Sequence, residues 1–425
     1  MANYQKIKGT QDLFGKEIIK MRYIEDKMKN LIENAGFFEF RTPIFEYTEV
    51  FSRSVGEESD IVSKEMYTFL DKGNRSITLR PEGTAPLVRS YVENKMYANS
   101  NLKKFYYYGP MFRYERPQAG RYREFNQFGI EAIGINSPLL DSEIIASAYN
   151  IINDLNIKNV VLKINSIGDF ASRETYKIAL KNYFSPHLQS LCDDCKRRYL
   201  KNTLRILDCK IDANSKAIIN APKIDAYLND VSKTRFAAVI NSLEVLGIKY
   251  QIQNNLVRGL DYYTDTVFEF VIQSDDELNN LAICAGGAYS GLVKELCGPD
   301  IPGIGYAFGL ERILRVMDYQ NSWGQLEKKV DAFIIGLDEQ SKIATLVLAK
   351  ELRSEGYYCE LDYSATQLKK QFNTSDKFNP RIIIIIGEEE LANEQVTIKN
   401  NQTKEQITLK RDKLLLWMKE NIKDA

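Results

Sequence analysis

Residues 105–134 read FYYYGPMFRYERPQAGRYREFNQFGIEAIG, and their alternation predicts a hairpin of two long strands around an arginine-rich tip. From Arg123 to Ile133 the side chains alternate with period two. Phe128, Ile130 and Ala132 take the core face, and Gln127, Gly129 and Glu131 take the other. An amide and a carboxylate then flank a glycine on one side of a rigid strand, where the absent side chain lets a ligand approach the backbone. A polar residue on a half-exposed strand is ordinary, and the tip is what changes the reading. Arg113, Arg116, Arg121 and Arg123 are opposed there only by Glu115. Guanidinium groups so close repel one another unless an anion compensates them, and arginine suits phosphate best.

The bulk properties narrow the class. The chain has 425 residues, enough for roughly two or three domains. Its 57 basic residues equal its 57 acidic ones, so any nucleic-acid contact must come from local patches. The polar opening MANYQKIKGTQDLFGKE lacks the apolar core of a secretory peptide, and the longest strongly apolar run, Ile382 to Ile386, is far short of a membrane span. Six cysteines in such a chain predict reduced thiols in a cytosol. The single histidine, His187, leaves no HExxH zinc helix, and no GxxxxGK[ST] loop occurs. An enzyme of this composition that handles phosphates would hold them with arginines.

Outward from the hairpin, residues 1–35 read as a turn and an amphipathic helix, with Ile18, Met21, Ile24 and Met28 at helical spacing and Gly36 ending it. Phe37 to Phe51 reads as extended, broken by Pro43, which suits an edge or interface strand. Thr78 to Val88 is a strand, a Pro-Glu-Gly turn and a helix. A further helix runs from about Pro138 to Leu155. From about 168 to 252 the texture becomes helical and Lys/Asn-rich, as in an inserted module. This stretch holds His187, Cys192, Cys195 and Cys209. Those four offer loosely spaced zinc ligands, but idle or buried thiols are the reading favoured here, and no metal is assigned. Strands resume at Leu256. After a polar linker, Asp318 to Lys329, strands and helices alternate as in parallel crossovers, closed by a hairpin (Val396 to Leu409) and a last helix.

Three further segments carry chemistry. In TLRPEGT, Glu82 stands in a turn before a helix, where it either salt-bridges a ligand ammonium or caps the helix. In RGLDYY, Arg258 is followed by Tyr262 and Tyr263, a cation with two ring hydroxyls, against the alternative of an aromatic strand packing on the core. In GIGYAFGLER, Arg312 falls in a helix's first turn, where a cation is unfavourable without an anion; the alternative is a solvated pair with Glu311.

In one order along nearly the whole chain, these segments resemble the motifs of class II aminoacyl-tRNA synthetases. The Pro43 strand resembles motif 1, FRYE with the following strand motif 2, and GLERIL motif 3. RGLDYYT and AGGAYSGL are similar to the two histidine-specific motifs of the histidyl-tRNA synthetase family, and TLRPEGT and KGTQDLF match it too.

The resemblance implies an α+β catalytic domain on an antiparallel sheet over residues 1–325, with the helical insertion at about 168–252. An anticodon-binding α/β domain with a mixed, mainly parallel sheet would span 329–425. It implies that ATP, with Mg2+, and L-histidine form an adenylate and pyrophosphate, and that the histidyl group passes to the 3′ end of tRNA(His). Arg113 and Arg312 would hold ATP phosphates, and Arg258 the α-phosphate region. Glu82, Gly83 and Thr84 would receive the ammonium. Gln127, Glu131, Tyr262 and Tyr263 would line the histidine pocket, with Tyr289 a weaker candidate. Arg116, Gln118 and Arg121 would meet the acceptor end of the tRNA, and Lys369, Lys370 and Arg381 its anticodon region. A cytoplasmic homodimer joined through the Pro43 region, with no membrane contact, is also implied.

One departure stands out: the family usually has Arg and Asp or Asn where this chain has Ala288 and Ser290. It favours a rival reading, a non-catalytic paralogue serving as regulatory subunit of ATP phosphoribosyltransferase. Such paralogues typically lack the C-terminal domain and have eroded arginines. A second rival, a sensor of uncharged tRNA, usually carries extra signalling domains for which this chain has no room.

Overall fold

The computed structural model describes residues 4–56, 59, 61–99, 102–116, 120–209, 211–257, 259–260, 262–326, 329–363 and 367–422. They form two compact units, divided between Gly324 and Gln325.

In chain order the first unit contains β1 (Phe38–Glu39), β2 (Phe45–Tyr47), β3 (Tyr67–Leu70), β4 (Ser76–Leu79), β5 (Lys103–Phe112), β6 (Glu124–Ile133), β7 (Val160–Ser166), β8 (Tyr250–Ile252), β9 (Tyr263–Ile272), β10 (Ala282–Tyr289) and β11 (Gly303–Gly309). Among the described residues, eight of these form one sheet in the order β1-β5-β6-β11-β10-β9-β7-β8, and β2-β4-β3 form a small second sheet. The large sheet is antiparallel from β5 to β7, with parallel pairs only at its edges, β1–β5 and β7–β8.

One face of that sheet is buried under helices. Lys16–Asn34 has no side-chain cap at Gly15 but buries Met21, Ile24, Met28 and Ile32. At about 2 kcal/mol for each buried side chain, this outweighs the loss of about 1 kcal/mol from a missing cap. Phe128, Ile130 and Ala132 of β6 join the same core, as the alternation predicted, with Ile144, Ile145 and Ala148 of helix Pro138–Asp154. The opposite face carries a second cluster around Tyr107, Tyr262, Tyr263 and Tyr289 and leaves the cleft described below.

The extended segment expected up to Phe51 ends sooner. The chain turns helical over Thr48–Val55, because Val50, Phe51, Ser54 and Val55 make a buried helical stripe. Between Phe170 and Leu228, Tyr176, Leu180, Phe184, Cys195, Ile206 and Cys209 form a core of their own. By contrast, helix Asp230–Val245 gives Val239 and Leu243 to the main core, and β8 pairs with β7.

The second unit contains β12 (Ala332–Gly336), β13 (Cys359–Leu361), β14 (Ile382–Ile386), β15 (Gln395–Asn400) and β16 (Gln406–Lys410), in the order β13-β12-β14-β15-β16. The first three are parallel and the rest antiparallel. Ile382 and Ile384 pack in the larger core with Leu348 and Leu414, while Ile383 packs on the other face beside Phe372. Burial on both faces accounts for the unbroken isoleucine run.

Candidate active site

The cleft opens on the free face of the sheet, with about 990 Å³ of empty space, part of it solvent. Its floor is set by strand register. Gln127 and Glu131 project from β6 into the cleft, and Glu131 lies opposite Gly305 of β11. A Cβ on Gly305 would stand 2.1 Å from Glu131 Oε2, so only glycine leaves that carboxylate its place. Glu131 is 1% exposed. The Thr84 hydroxyl donates to its Oε1 at 2.6 Å and the Tyr289 hydroxyl to its Oε2 at 2.8 Å. Burial nevertheless pushes its pKa up to about 8; the two hydroxyls work against that rise and the nearby Glu82 adds to it. Gln127 Oε1 is buried and has no hydrogen-bond partner among the described residues. A buried acceptor left unpaired costs about 1–3 kcal/mol, which a ligand N–H would recover.

Glu82 is 4% exposed and does what one of its two sequence readings proposed: it caps the helix Thr84–Glu93. Its Oε2 accepts from the Thr84 N–H at 2.7 Å and its Oε1 from the Ala85 N–H at 2.8 Å. It also lines the cleft, so the cap and the cleft carboxylate are one group. Burial raises its pKa, against those two N–H groups and the charge of Arg113. Tyr262 and Tyr263 stand together with ring centroids 4.7 Å apart, and Tyr289 meets Tyr262 edge-on at 5.8 Å. All three are buried cleft residues.

The other end is cationic. Arg113, Arg121 and Arg312 come from the tip and from the helix Leu310–Gln320, and all line the cleft. Arg113 donates from Nε to the Pro81 carbonyl at 2.8 Å and sits over the Phe125 ring at 5.3 Å. Arg121 reaches Glu115 at 3.3 Å. Arg312 donates to the Ala282 carbonyl at 2.8 Å. Burial, then the charges of Arg121 and Arg113, lower the pKa of Arg312. That mutual repulsion is relieved by an anion between them. Glu311 does not pair with its neighbour Arg312; both of its oxygens face the Asn126 N–H, at 2.8 and 3.0 Å, and tie the helix to β6.

The structure thus brings Glu82, Thr84, Arg113, Arg121, Gln127, Glu131, Tyr262, Tyr263, Tyr289 and Arg312 to one cleft. Arg258 and Gln118 lie outside the described residues. Arg116 is exposed at the tip.

Other expectations need correction. Arg123 turns away to stack on Tyr114 at 4.1 Å, and its N–H donates to the Gly9 carbonyl at 2.7 Å. The space over Gly129 is not open to a ligand: a Cβ there would lie 2.3 Å from the Tyr107 ring, and one on Gly83 2.1 Å from it. Tyr107 is therefore the residue that the sequence reading missed. It pairs with Gly129 across the hairpin, and an aromatic facing a strand glycine was the available signal. Ala288 lies in the core beside Ile304, so its departure from the motif falls outside the cleft lining. In the second unit Lys369 and Lys370 are exposed, while Arg381 is held 3.7 Å from Asp331.

A family model described as histidyl-tRNA synthetase matches residues 9–313, and one described as an anticodon binding domain matches residues 331–421. A histidine–tRNA ligase of Streptococcus agalactiae serotype III is 47% identical over 95% of both chains. A histidine–tRNA ligase of Bacillus subtilis is 45% identical over 99% of both. The crystal structure of apo Staphylococcus aureus histidyl-tRNA synthetase superposes with a TM-score of 0.84 at 39% identity, covering 98% of this chain and 100% of that one.

Proposed function

The chain belongs to the histidyl-tRNA synthetase family, and from that premise we infer that it activates L-histidine with ATP and transfers the histidyl group to tRNA. The observation that carries this reading is the polarity of the cleft: unpaired or ammonium-seeking acceptors at one end and three converging guanidinium groups at the other. A zwitterionic amino acid next to a polyphosphate matches that polarity.

Glu82 takes the α-ammonium, with Thr84 fixing the turn. Glu131 accepts from an imidazole N–H, Gln127 Oε1 accepts from a second histidine N–H, and Tyr262, Tyr263 and Tyr289 wall the ring. An apolar side chain of similar size would leave Gln127 Oε1 buried and unpaired and would offer Glu131 no N–H, so it is rejected. The histidine carboxylate oxygen attacks the α-phosphorus of ATP as the bond to pyrophosphate breaks. Positioning and charge stabilisation do most of that work. Arg113, Arg312 and Arg121 hold phosphate oxygens, and Arg258 is proposed at the α-phosphate from its motif alone. A tRNA 3′-terminal hydroxyl then attacks the histidyl carbonyl, and AMP leaves.

Mg2+ would spread charge over the β- and γ-phosphates. Glu115 and Glu311 are the carboxylates that line the phosphate end and would face a hydrated ion, the first already paired with Arg121 and the second accepting from Asn126. The tip, with Arg116 and Gln118, and the exposed Lys369 and Lys370 of the second unit are proposed as tRNA contacts. Matches at about 45% identity over nearly the full length, a matched anticodon-binding model and the retained cleft arginines favour the ligase over the regulatory paralogue. Among the described residues no helix is long and apolar enough to cross a membrane, and we place the reaction in the cytoplasm.

The test is amino-acid-dependent exchange of pyrophosphate into ATP. Exchange is expected with histidine alone out of the common amino acids; no exchange at saturating ATP, Mg2+ and histidine would sink the proposal.

A further inference from the structure

The separate core of the inserted module contains a cluster that the synthetase chemistry does not use. The sulfurs of Cys192, Cys195 and Cys209 and a carboxylate oxygen of Asp212 all lie within 4.8 Å of one another. Cys195 and Cys209 are buried, at 0% and 4% exposure. The Cys192 and Cys209 sulfurs are 3.6 Å apart, and Cys209 Sγ is 3.7 Å from Asp212 Oδ2. A disulfide would bring two sulfurs to about 2.05 Å. A tetrahedron with metal–sulfur bonds of about 2.3 Å has edges of about 3.8 Å.

The two halves of the cluster are built alike. In Cys192-x-x-Cys195 the second residue's backbone N–H faces the first sulfur. In Cys209-x-x-Asp212 the Asp212 N–H donates to Cys209 Sγ at 3.3 Å. The Cys192 N–H also donates to Asp212 Oδ2 at 2.9 Å, which orients the carboxylate toward the sulfurs. His187, the fourth ligand suggested by the sequence, packs instead against the Tyr183 ring at 5.0 Å and is not in the cluster.

We propose that Cys192, Cys195, Cys209 and Asp212 form a structural zinc site. Three sulfur donors and one oxygen in a closed tetrahedral arrangement suit Zn2+, with no position left for substrate. On binding, three thiol protons leave to solvent as three Zn–S bonds form, Asp212 supplies the fourth bond, and no electrons are exchanged. The ion ties the start of the helix Asp193–Lys201 to the turn at Cys209. In the intervening 3₁₀ turn Thr203–Ile206, Arg205 donates to the Gly259 carbonyl at 3.3 Å, and the adjacent Leu260 lines the cleft. The site thus braces the insert where it touches the catalytic segment.

Elemental analysis of the full-length protein, purified under reducing conditions, is expected to give about one zinc per chain. Co2+ exchanged into the site should show thiolate-to-metal charge transfer and tetrahedral d–d bands. Asp212→Asn should release zinc to a chelator at least about tenfold faster, His187→Asn should not, and chelation should lower the melting temperature of the wild type only while metal is bound. Three outcomes would overturn the proposal: reduced wild-type protein that neither carries nor takes up Zn2+, a Cys192–Cys209 disulfide in the protein as purified, or loss of zinc from His187→Asn but not from Asp212→Asn.

Discussion

At the scale of single residues, burial holds Glu131 protonated well above the usual carboxylate range. Its pKa rises from 4.5 to about 8 on folding, so between those values the folded chain holds a proton that the unfolded chain has released. Stability must therefore fall as pH rises through that window. The urea midpoint of the ligand-free protein should decline from about pH 5 to about pH 8, with a shallower slope in Glu131→Gln; an unchanged slope would mean that Glu131 is ionised in the folded state. Arg312, at the other end of the cleft, and Arg123, outside it, give a contrasting pair. Removing a preorganised cation costs about 100-fold or more in the chemical step. Arg312→Gln should lower pyrophosphate exchange by that order, whereas Arg123→Gln, stacked on Tyr114 outside the cleft, should stay within about twofold. Equal losses would remove the distinction drawn between them.

At the scale of elements, the pairing of β6 with β11 places the cleft's floor. A methyl group on Gly305 would collide with the Glu131 carboxylate and with the Ile130 carbonyl. Gly305→Ala should therefore raise the KM for histidine about tenfold or more, with a smaller effect on the KM for ATP, since overpacking here costs about 1–3 kcal/mol. Initial-rate exchange kinetics separate the two, and a purely ATP-side defect would contradict the register argument. The β6 alternation was legible because period two allows one assignment once Phe128, Ile130 and Ala132 claim the core. The cap at Glu82 and the first-turn position of Arg312 were legible because helix starts have their own chemistry. The ring of Tyr107 over Gly129 was harder to see, since it depends on cross-strand register. The helix at Thr48–Val55 was obscured by Pro43 upstream. Asp212 was missed because only cysteine and histidine were counted as partners, although it stands at the same spacing from Cys209 as Cys195 does from Cys192.

At the scale of the whole molecule, each unit has its own core. On the first unit, Phe38, Phe45, Tyr47, Phe69 and Leu70 are between 49% and 72% exposed, on β1 and on the small β2-β4-β3 sheet. Apolar surface of this extent suits a partner of the same kind, in the Pro43 region. Light scattering should give a dimer for the wild type, and Leu70→Glu should shift it toward monomer; a monomeric, fully active wild type would refute the expectation. The imidazole of His187 rests on Tyr183 in the insert, and the chain contains no other histidine. A ribosome making these 425 residues draws on charged histidyl-tRNA once. During starvation for that amino acid, synthesis of these 425 residues would stall at the codon for His187, and ribosome footprinting would show a pause there.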